Sequence, residues 1–95
     1  MKQLIWSPTA QADLAAVDDF LYDEDPDFAD RVALSSVRSA RLLLDWPFAG
    51  SPWGDGGQHK WRVKQTPYIL IYRPVDDAIV ILHVLHERQN WGIEP

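Results

Sequence analysis

The apolar residues of this chain change their spacing near the middle of the sequence. Up to Leu43 they recur every three or four positions, which is typical of helices that bury one face. From Lys60 onward they alternate with polar residues or run continuously, which is typical of strands. Helices therefore precede most of the strands, and this order predicts an α+β domain in which helices pack on a mainly antiparallel sheet.

Two start signals divide the first half of the chain into a short strand and two helices. Leu4-Ile5-Trp6 favours a strand. Ser7-Pro8 and Asp25-Pro26 each supply a capping side chain and a proline suited to the first helical position. The first helix is expected to end near residues 22–24, because the second proline disfavours helical geometry at the residue before it, and the second helix is expected to end at Pro47. Two helices joined by so few residues make an antiparallel hairpin.

Three strands are predicted after a Gly- and Pro-rich loop, residues 47–59, in which we expect no regular structure. Residues 68–72 form an apolar run typical of a central strand, and residues 79–86 predict a strand that is buried on both faces through most of its length. With the N-terminal strand these make a three- to four-stranded sheet, covered on one face by the helical hairpin. In residues 60–64, apolar side chains alternate with outward-facing Lys60, Arg62 and Lys64.

Composition narrows the class of protein. The 95 residues suit a single domain, 1–95, and an apolar share of 46% argues against disorder. The absence of cysteine excludes disulfides, thiol catalysis and Cys-based metal sites. No apolar run approaches the roughly 18 residues of a membrane-spanning helix, and the N-terminus has no signal-peptide pattern. We therefore expect a cytoplasmic protein with no membrane contact.

The net charge of −5 is unevenly distributed along the chain. Residues 1–30 hold eight acidic residues and one lysine, a net charge of −7, whereas residues 31–95 hold eight basic and six acidic residues, a net charge of +2. The field of the whole protein repels polyanions at long range, while the C-terminal part can accept them locally.

The candidate metal sites in the sequence lack the required ligands. Asp23-x-Asp25-x-Asp27 begins like a calcium loop, but Phe28 replaces the glycine of the turn and Leu34 replaces the final glutamate. His83 and His86 lie three positions apart on a predicted strand, so their side chains point to opposite faces. We expect no metal and no cofactor.

A polar cluster follows the last predicted strand. An imidazole such as His86 beside a guanidinium such as Arg88 can perform general acid–base catalysis on a phosphodiester, with the cation stabilising the developing charge. The same cluster can bind an anion or a protein. It can also be structural, with His86 and Trp91 packing the end of the sheet and Arg88 paired to Glu87 or to an acidic residue of a helix.

Short motifs are spread over nearly the whole chain at ordered spacings. They are Trp6-Ser7-Pro8-x-Ala10-x-x-Asp13-Leu14, Pro26 with Ala29-x-Arg31, Leu43 with Pro47-x-x-Gly50, Trp61-x-Val63, Thr66-Pro67-Tyr68-x-x-x-Tyr72-Arg73, and Ile81-Leu82-x-Val84-x-His86-x-Arg88-x-x-Trp91. No single motif is specific, but the ordered set resembles the RelE/ParE family of type II toxin–antitoxin toxins. The resemblance implies the small α+β fold of that family.

Two activities occur in the family that the sequence resembles. RelE-type toxins are ribosome-dependent mRNA endonucleases and usually carry a basic residue directly after the first Tyr of the Tyr-x-x-x-Tyr strand, where this chain has Ile69. ParE-type toxins inhibit DNA gyrase without a hydrolytic site, and their Thr-Pro-Tyr and His-x-x-x-x-Trp patterns are closer to this sequence. The net charge of −5 agrees, because phosphate binding depends on cationic contacts.

The sequence is therefore interpreted as a ParE-like inhibitor of DNA gyrase. A metal-independent endoribonuclease of the RelE kind and a non-toxic relative that only binds an antitoxin remain as alternatives. If the protein is a nuclease, the candidate catalytic residues are His86, Arg88 and Tyr68. The candidates for target binding and toxicity are His86, Arg88, Trp91, Arg62, Lys64 and Arg73.

The resemblance also implies a cognate antitoxin, a small ParD-like or other DNA-binding protein, through which alone the toxin would contact operator DNA. A segment of the antitoxin is expected to lay an apolar face into a groove at the helical hairpin. The candidate apolar contacts are Phe20, Tyr22 and Phe28. The antitoxin is also expected to present cations to an acidic cluster that includes Asp18, Asp23 and Asp30.

Overall fold

The computed structural model describes residues 2–88, which form two helices and five strands. The elements agree with the predicted order of strand, helix, helix and then strands. In chain order they are β1 (Gln3–Trp6), α1 (Pro8–Glu24), α2 (Pro26–Asp45), β2 (Ser51–Trp53), β3 (Gln58–Arg62), β4 (Tyr68–Val75) and β5 (Ala78–His86).

Both helices begin at the predicted start signals. The Ser7 hydroxyl accepts a hydrogen bond from the backbone N–H of Ala10 at 3.0 Å, and the Asp25 carboxylate accepts one from the backbone N–H of Phe28 at 3.1 Å. Each cap satisfies a backbone donor that has no partner inside the helix, and a proline follows each cap. The predicted helix ends are confirmed within two residues, because α1 stops at Glu24 and α2 at Asp45.

The five strands form one mixed sheet in the order β1-β5-β4-β3-β2. All neighbouring pairs are antiparallel except β1 and β5, which run parallel. The strand count exceeds the predicted three to four because β2 forms inside the loop that we expected to be irregular. Gly54 and Gly57 adopt φ angles of 72° and 75°, which glycine adopts without steric cost, and the turn they make returns the chain from β2 into β3.

The main core lies between the helices and one face of the sheet. Leu70 and Tyr72 of β4 and Ile79 and Ile81 of β5 are fully buried on this face, where they pack with Leu43 of α2. The prediction that β5 is buried on both faces is wrong for its second half. The reason is that the pairing with β1 ends at Ile81, so in residues 82–86 only Val84 is buried, His83 is exposed and the other three residues are half-buried.

The hydroxyl group of Tyr72 ties the connection after α2 to the centre of the sheet. Tyr72 is fully buried, donates to the Pro47 carbonyl at 2.8 Å and accepts from the Gly50 N–H at 3.0 Å. Burial raises the pKa of Tyr72, so the phenol keeps its proton and can donate at neutral pH. A Cβ at Gly50 would clash with the Lys60 carbonyl oxygen, so only glycine allows this close approach of two backbone segments.

Two side chains near the start of α1 form hydrogen bonds with backbone groups of β5, on the part of its edge that β1 does not cover. Because the pairing between β1 and β5 ends at Trp6, residues 82–86 of β5 have no strand on that side in the described structure. The Ser7 hydroxyl donates to the Leu82 carbonyl at 3.2 Å, and the Asp13 carboxylate accepts from the Val84 N–H at 3.1 Å. The first helix is thereby connected to the last strand by polar as well as apolar contacts.

We predict that Tyr72→Phe lowers the free energy of unfolding by about 1–3 kcal/mol, because it leaves the buried Gly50 N–H and the Pro47 carbonyl without their partner. Urea denaturation of the purified proteins measures this change. The control is Tyr22→Phe, at a tyrosine that is 56% exposed, which we expect to change stability by less than about 0.5 kcal/mol. Equal effects of the two substitutions would contradict the assigned role of Tyr72.

We also predict that Asp13→Ala lowers the free energy of unfolding by about 1–3 kcal/mol, because the N–H of the buried Val84 loses its acceptor. Asp13→Asn keeps an acceptor oxygen and is expected to cost less. Asp19→Ala removes an exposed carboxylate from the same helix and serves as the control. If thermal and urea unfolding show Asp13→Ala to be as stable as this control, the connection between α1 and β5 is unimportant.

Candidate functional site

Hydrogen bonds between α2 and residues 61–64 hold the end of β3 and the start of the turn that follows it. The pairing of β2 with β3 extends only to Lys60. The Ser39 carbonyl accepts a bond from the Trp61 indole N–H at 2.9 Å, and the Ser39 hydroxyl accepts one from the Lys64 backbone N–H at 3.2 Å. The Ser35 hydroxyl adds a bond to the Lys64 carbonyl at 2.8 Å. Two open cavities border this contact, and both include Ser39 and Lys64.

The larger cavity, about 880 Å³, is lined by apolar and cationic side chains, and we call it the cation cavity. Its apolar lining includes Leu42, Trp61 and Ile69. Glu87 is the one acidic residue among the described residues that line it, so four cations and one acid give a local charge of +3. The four cations are Lys60, Arg62, Lys64 and Arg88.

Arg62 and Glu87 form an ion pair within the cation cavity. Nη2 of Arg62 lies 2.8 Å from Oε1 of Glu87, while Nη1 of Arg62 donates to the Thr66 carbonyl at 3.1 Å. The backbone N–H of Glu87 donates to the Pro67 carbonyl at 2.7 Å, which fixes the position of the glutamate. The hydrogen bond from Arg62 lowers the pKa of Glu87, so the carboxylate stays ionised at neutral pH.

This ion pair differs from the pairing considered in the sequence, where Glu87 was the candidate partner of Arg88. The structure places the Glu87 carboxylate on Arg62 instead, although β4 separates their strands. Residues 25 positions apart on non-adjacent strands carry no local signal of such a contact. Glu87 is therefore a member of the site that sequence reasoning did not identify.

His86 and Tyr68 contact each other beside the cation cavity. Their rings meet edge to face with centroids 5.3 Å apart, and the backbone N–H of Arg88 donates to Nδ1 of His86 at 3.1 Å. Tyr68 is only 5% exposed and belongs to the main core, and this burial raises the pKa of its phenol. A buried, protonated Tyr68 is a poor general base, which weighs against its proposed nuclease role.

The remaining target-binding candidates are not all close together. Arg62, Lys64 and Arg88 share the cation cavity, with His86 next to it. Arg73 lies five residues along β4 from Tyr68, about 16 Å away by strand rise, and its Nε donates to the Gly56 carbonyl at 3.1 Å. Arg73 does not line the cation cavity. Trp91 falls outside the residues that the structure describes.

The apolar candidates for antitoxin binding do not form a single groove. Phe20 is 67% exposed and Tyr22 is 56% exposed, so neither belongs to the core. Because residues two positions apart on a helix point about 200° apart, Phe20 and Tyr22 lie on different flanks of α1. Phe28 is half-buried beneath the guanidinium of Arg31, 5.4 Å from its ring centre.

The three acidic candidates lie on both helices near the hairpin connection. Asp23 on α1 and Asp30 on α2 are exposed, and Asp18 is half-exposed. One turn of helix separates Asp18 from Tyr22, and a similar spacing separates Phe20 from Asp23, so each aromatic has an acidic neighbour on its own flank. Each flank of α1 therefore combines apolar and acidic groups.

A second cavity, about 540 Å³, runs between α2 and the turn that connects β3 to β4. One face of α2 lines this cavity. That face carries Leu34 and Leu42, which are each 51% exposed, and the cavity lining also includes Arg31 and Arg38. This surface was not predicted from the sequence. The sequence contained a signal for it, because the two leucines recur at helical spacing, among cations, on a face of α2 that does not pack into the core.

Neither histidine near the end of β5 has a metal site around it. His83 lies 3.5 Å from the Asp13 carboxylate, while His86 contacts Tyr68, so the two histidines face different surroundings. Within residues 2–88, no three side chains of the metal-ligating types come together. In the same range, neither helix is long and apolar enough to cross a bilayer.

Comparisons with known proteins agree with this architecture. The family model of the ParE toxin of the type II toxin–antitoxin system parDE matches residues 4–91. The protein named "Putative toxin Y4kP" of Sinorhizobium fredii (strain NBRC 101917 / NGR234) is 29% identical over 90 residues, which cover 95% of this chain and 93% of that protein.

A solved structure of the chromosomal ParDE TA system from P. aeruginosa contains a similar chain. It aligns with a TM-score of 0.79 and 25% identity, over 90% of this chain and 96% of that chain. The similarity therefore extends through the helical hairpin and the sheet. On the combined match of sequence and fold, this chain belongs to the ParE toxin family of type II toxin–antitoxin systems.

Proposed function

We propose that this ParE-type toxin arrests growth by binding DNA gyrase through the cation cavity, and that a cognate antitoxin neutralises it. The observation that carries the proposal is the lining of that cavity, which joins cations to an apolar surface formed by Trp61 and Ile69. Such a surface suits a protein that presents acidic and apolar groups together. We propose the cytoplasm, where gyrase acts, as the site of action.

The groups in and beside the cavity support binding rather than RNA cleavage. Glu87 is a weak base because Arg62 lowers its pKa, and Tyr68 is buried with its proton retained. Ile69, at the position where RelE-type toxins usually carry a basic residue, is 7% exposed and lines the cavity. The described residues of the cavity thus supply cations but no pair of groups suited to proton transfer on a phosphodiester.

Membership of the ParE family supports an antitoxin as the partner that controls the toxin. The exposed aromatic and acidic groups on α1 suit a partner segment that buries an apolar face and presents cations. Operator DNA would then be contacted through the antitoxin, because the acidic hairpin repels phosphate.

A supercoiling assay tests the gyrase proposal directly. We expect the purified protein at low micromolar concentration to inhibit ATP-dependent supercoiling by gyrase, and the flanking antitoxin to restore the activity. Unchanged supercoiling at a micromolar excess contradicts the proposal. Two further assays test the alternatives: cleavage of ribosome-bound mRNA by the purified protein would favour the endonuclease, and normal growth of cells that express the protein without the antitoxin would favour a non-toxic relative.

We predict that Arg88→Gln raises the concentration needed for half-maximal inhibition of gyrase by about tenfold or more, because it removes an exposed cation from the cation cavity. Arg41→Gln removes an exposed cation of α2 that lies outside this cavity, and we expect less than a twofold change. Both variants carry the same net charge. Equal losses in the two would show that overall charge, and not the cavity, governs inhibition.

We predict that the antitoxin covers one flank of α1. Phe20→Ala or Tyr22→Ala should weaken antitoxin binding by about tenfold or more in isothermal titration calorimetry, because a large exposed aromatic is a frequent anchor of protein interfaces. The variant with the larger loss identifies the flank. Phe48→Ala, at a phenylalanine that is 73% exposed but lies beyond α2, is the control. Binding unaffected by both α1 variants excludes this flank model.

A further inference from the structure

The guanidinium of Arg62 has its two terminal nitrogens engaged within the protein. Nη2 meets the Glu87 carboxylate at 2.8 Å, and Nη1 donates to the Thr66 carbonyl at 3.1 Å. These are the nitrogens with which arginine commonly binds a phosphate in a two-point contact. A phosphate that approached Arg62 would have to displace an internal carboxylate first.

The position of Glu87 is fixed by more than this ion pair. Its backbone N–H donates to the Pro67 carbonyl at 2.7 Å, which holds the residue after β5 against the turn before β4. The side chains of Arg62 and Glu87 are 55% and 37% exposed, so the pair is open to solvent and to ligands. Removal of the carboxylate therefore leaves the guanidinium accessible within a cavity that Lys60, Lys64 and Arg88 also line.

We propose that Glu87 is a specificity-determining residue of the cation cavity, whose carboxylate occupies Arg62 and thereby excludes the phosphate backbone of nucleic acids. The inference rests on the proposed function only in taking this cavity as the target surface. A site with four cations can then recognise a protein rather than a nucleic acid. Among the described lining residues Glu87 is the one acid, and it both pairs with Arg62 and repels nearby phosphates.

The ion pair also limits which contacts remain available to a protein partner. A protein surface can place single carboxylates beside the other cations and apolar groups against Trp61 and Ile69. A nucleic acid carries a continuous line of phosphates and cannot avoid the fixed negative charge of Glu87. The same residue therefore penalises nucleic acid more than a protein with separate acidic groups.

Glu87→Gln tests the inference, because it keeps the shape of the side chain and removes its charge. The probe is a fluorescein-labelled 20-nucleotide single-stranded RNA, titrated by fluorescence anisotropy at several salt concentrations. We expect Glu87→Gln to bind this RNA at least fivefold more tightly than the wild type at low salt. One additional phosphate contact should also steepen the slope of log K against log salt by about 0.7.

Two further variants separate a local effect from a general one. Asp76→Asn produces the same change of net charge at an exposed turn residue, at the other end of β5 and about 25 Å away by strand rise, and should change RNA binding by less than twofold. Adding Arg62→Gln to Glu87→Gln should remove the gain. A gain equal to that of Asp76→Asn, or one that survives the loss of Arg62, overturns the inference.

Failure of this inference can be distinguished from failure of the proposed function. The RNA titration requires no gyrase, and the supercoiling assay uses the wild-type protein. Tight binding of the RNA by the wild type itself, at physiological salt, would show that Glu87 does not exclude nucleic acid. Thermal melting of each variant, monitored by circular dichroism, verifies that the compared proteins are folded.

Discussion

The fold depends on hydrogen bonds to the backbone groups at the edge of β5 that has no neighbouring strand after β1 ends. Backbone groups at a buried strand edge require partners, because an unpaired N–H or carbonyl away from water costs about as much as a lost hydrogen bond. Here the partners are the side chains of Ser7 and Asp13, which bond to Leu82 and Val84. Ser7 also caps α1, so one hydroxyl joins the start of the helix to the end of the sheet.

The cation cavity forms next to the end of β5, where that strand pairs with the start of β4. Because β4 and β5 are antiparallel and Tyr68 pairs with His86, the residues after β5 emerge beside the turn before β4, where the N–H of Glu87 reaches the Pro67 carbonyl. The same turn supplies the Thr66 carbonyl that holds Arg62. Contacts at one end of the β4–β5 pair thus hold the Arg62–Glu87 ion pair of the cation cavity, and Arg73, nearer the other end of that pair, does not line the cavity.

The parts that the sequence predicted correctly are those governed by local chemistry. Helix starts follow from Ser7-Pro8 and Asp25-Pro26, and the exposure of Arg62 beside Trp61 follows from alternation along β3, which ends at Arg62 and leaves the predicted strand residue Lys64 in the turn that follows. The parts that it missed depend on distant pairing. β2 is a three-residue edge strand, too short to show any period, and its existence depends on the backbone of β3 beside it.

The ion pair between Arg62 and Glu87 could not be predicted for the same reason, since it requires the register of three strands at once.

The separation of charge along the chain becomes a separation in space only in the folded protein. The acidic residues within positions 1–30 lie on α1, on the start of α2 and at the connection between them, whereas the cations of the cavity lie on β3, in the turn after β3 and after β5. At physiological salt, charges farther apart than about 8 Å are largely screened from each other, so a partner in contact with the cavity experiences its local +3 more than the −5 of the whole protein. Glu87 and its neighbours, more than the net charge of the protein, therefore govern which partner binds after contact.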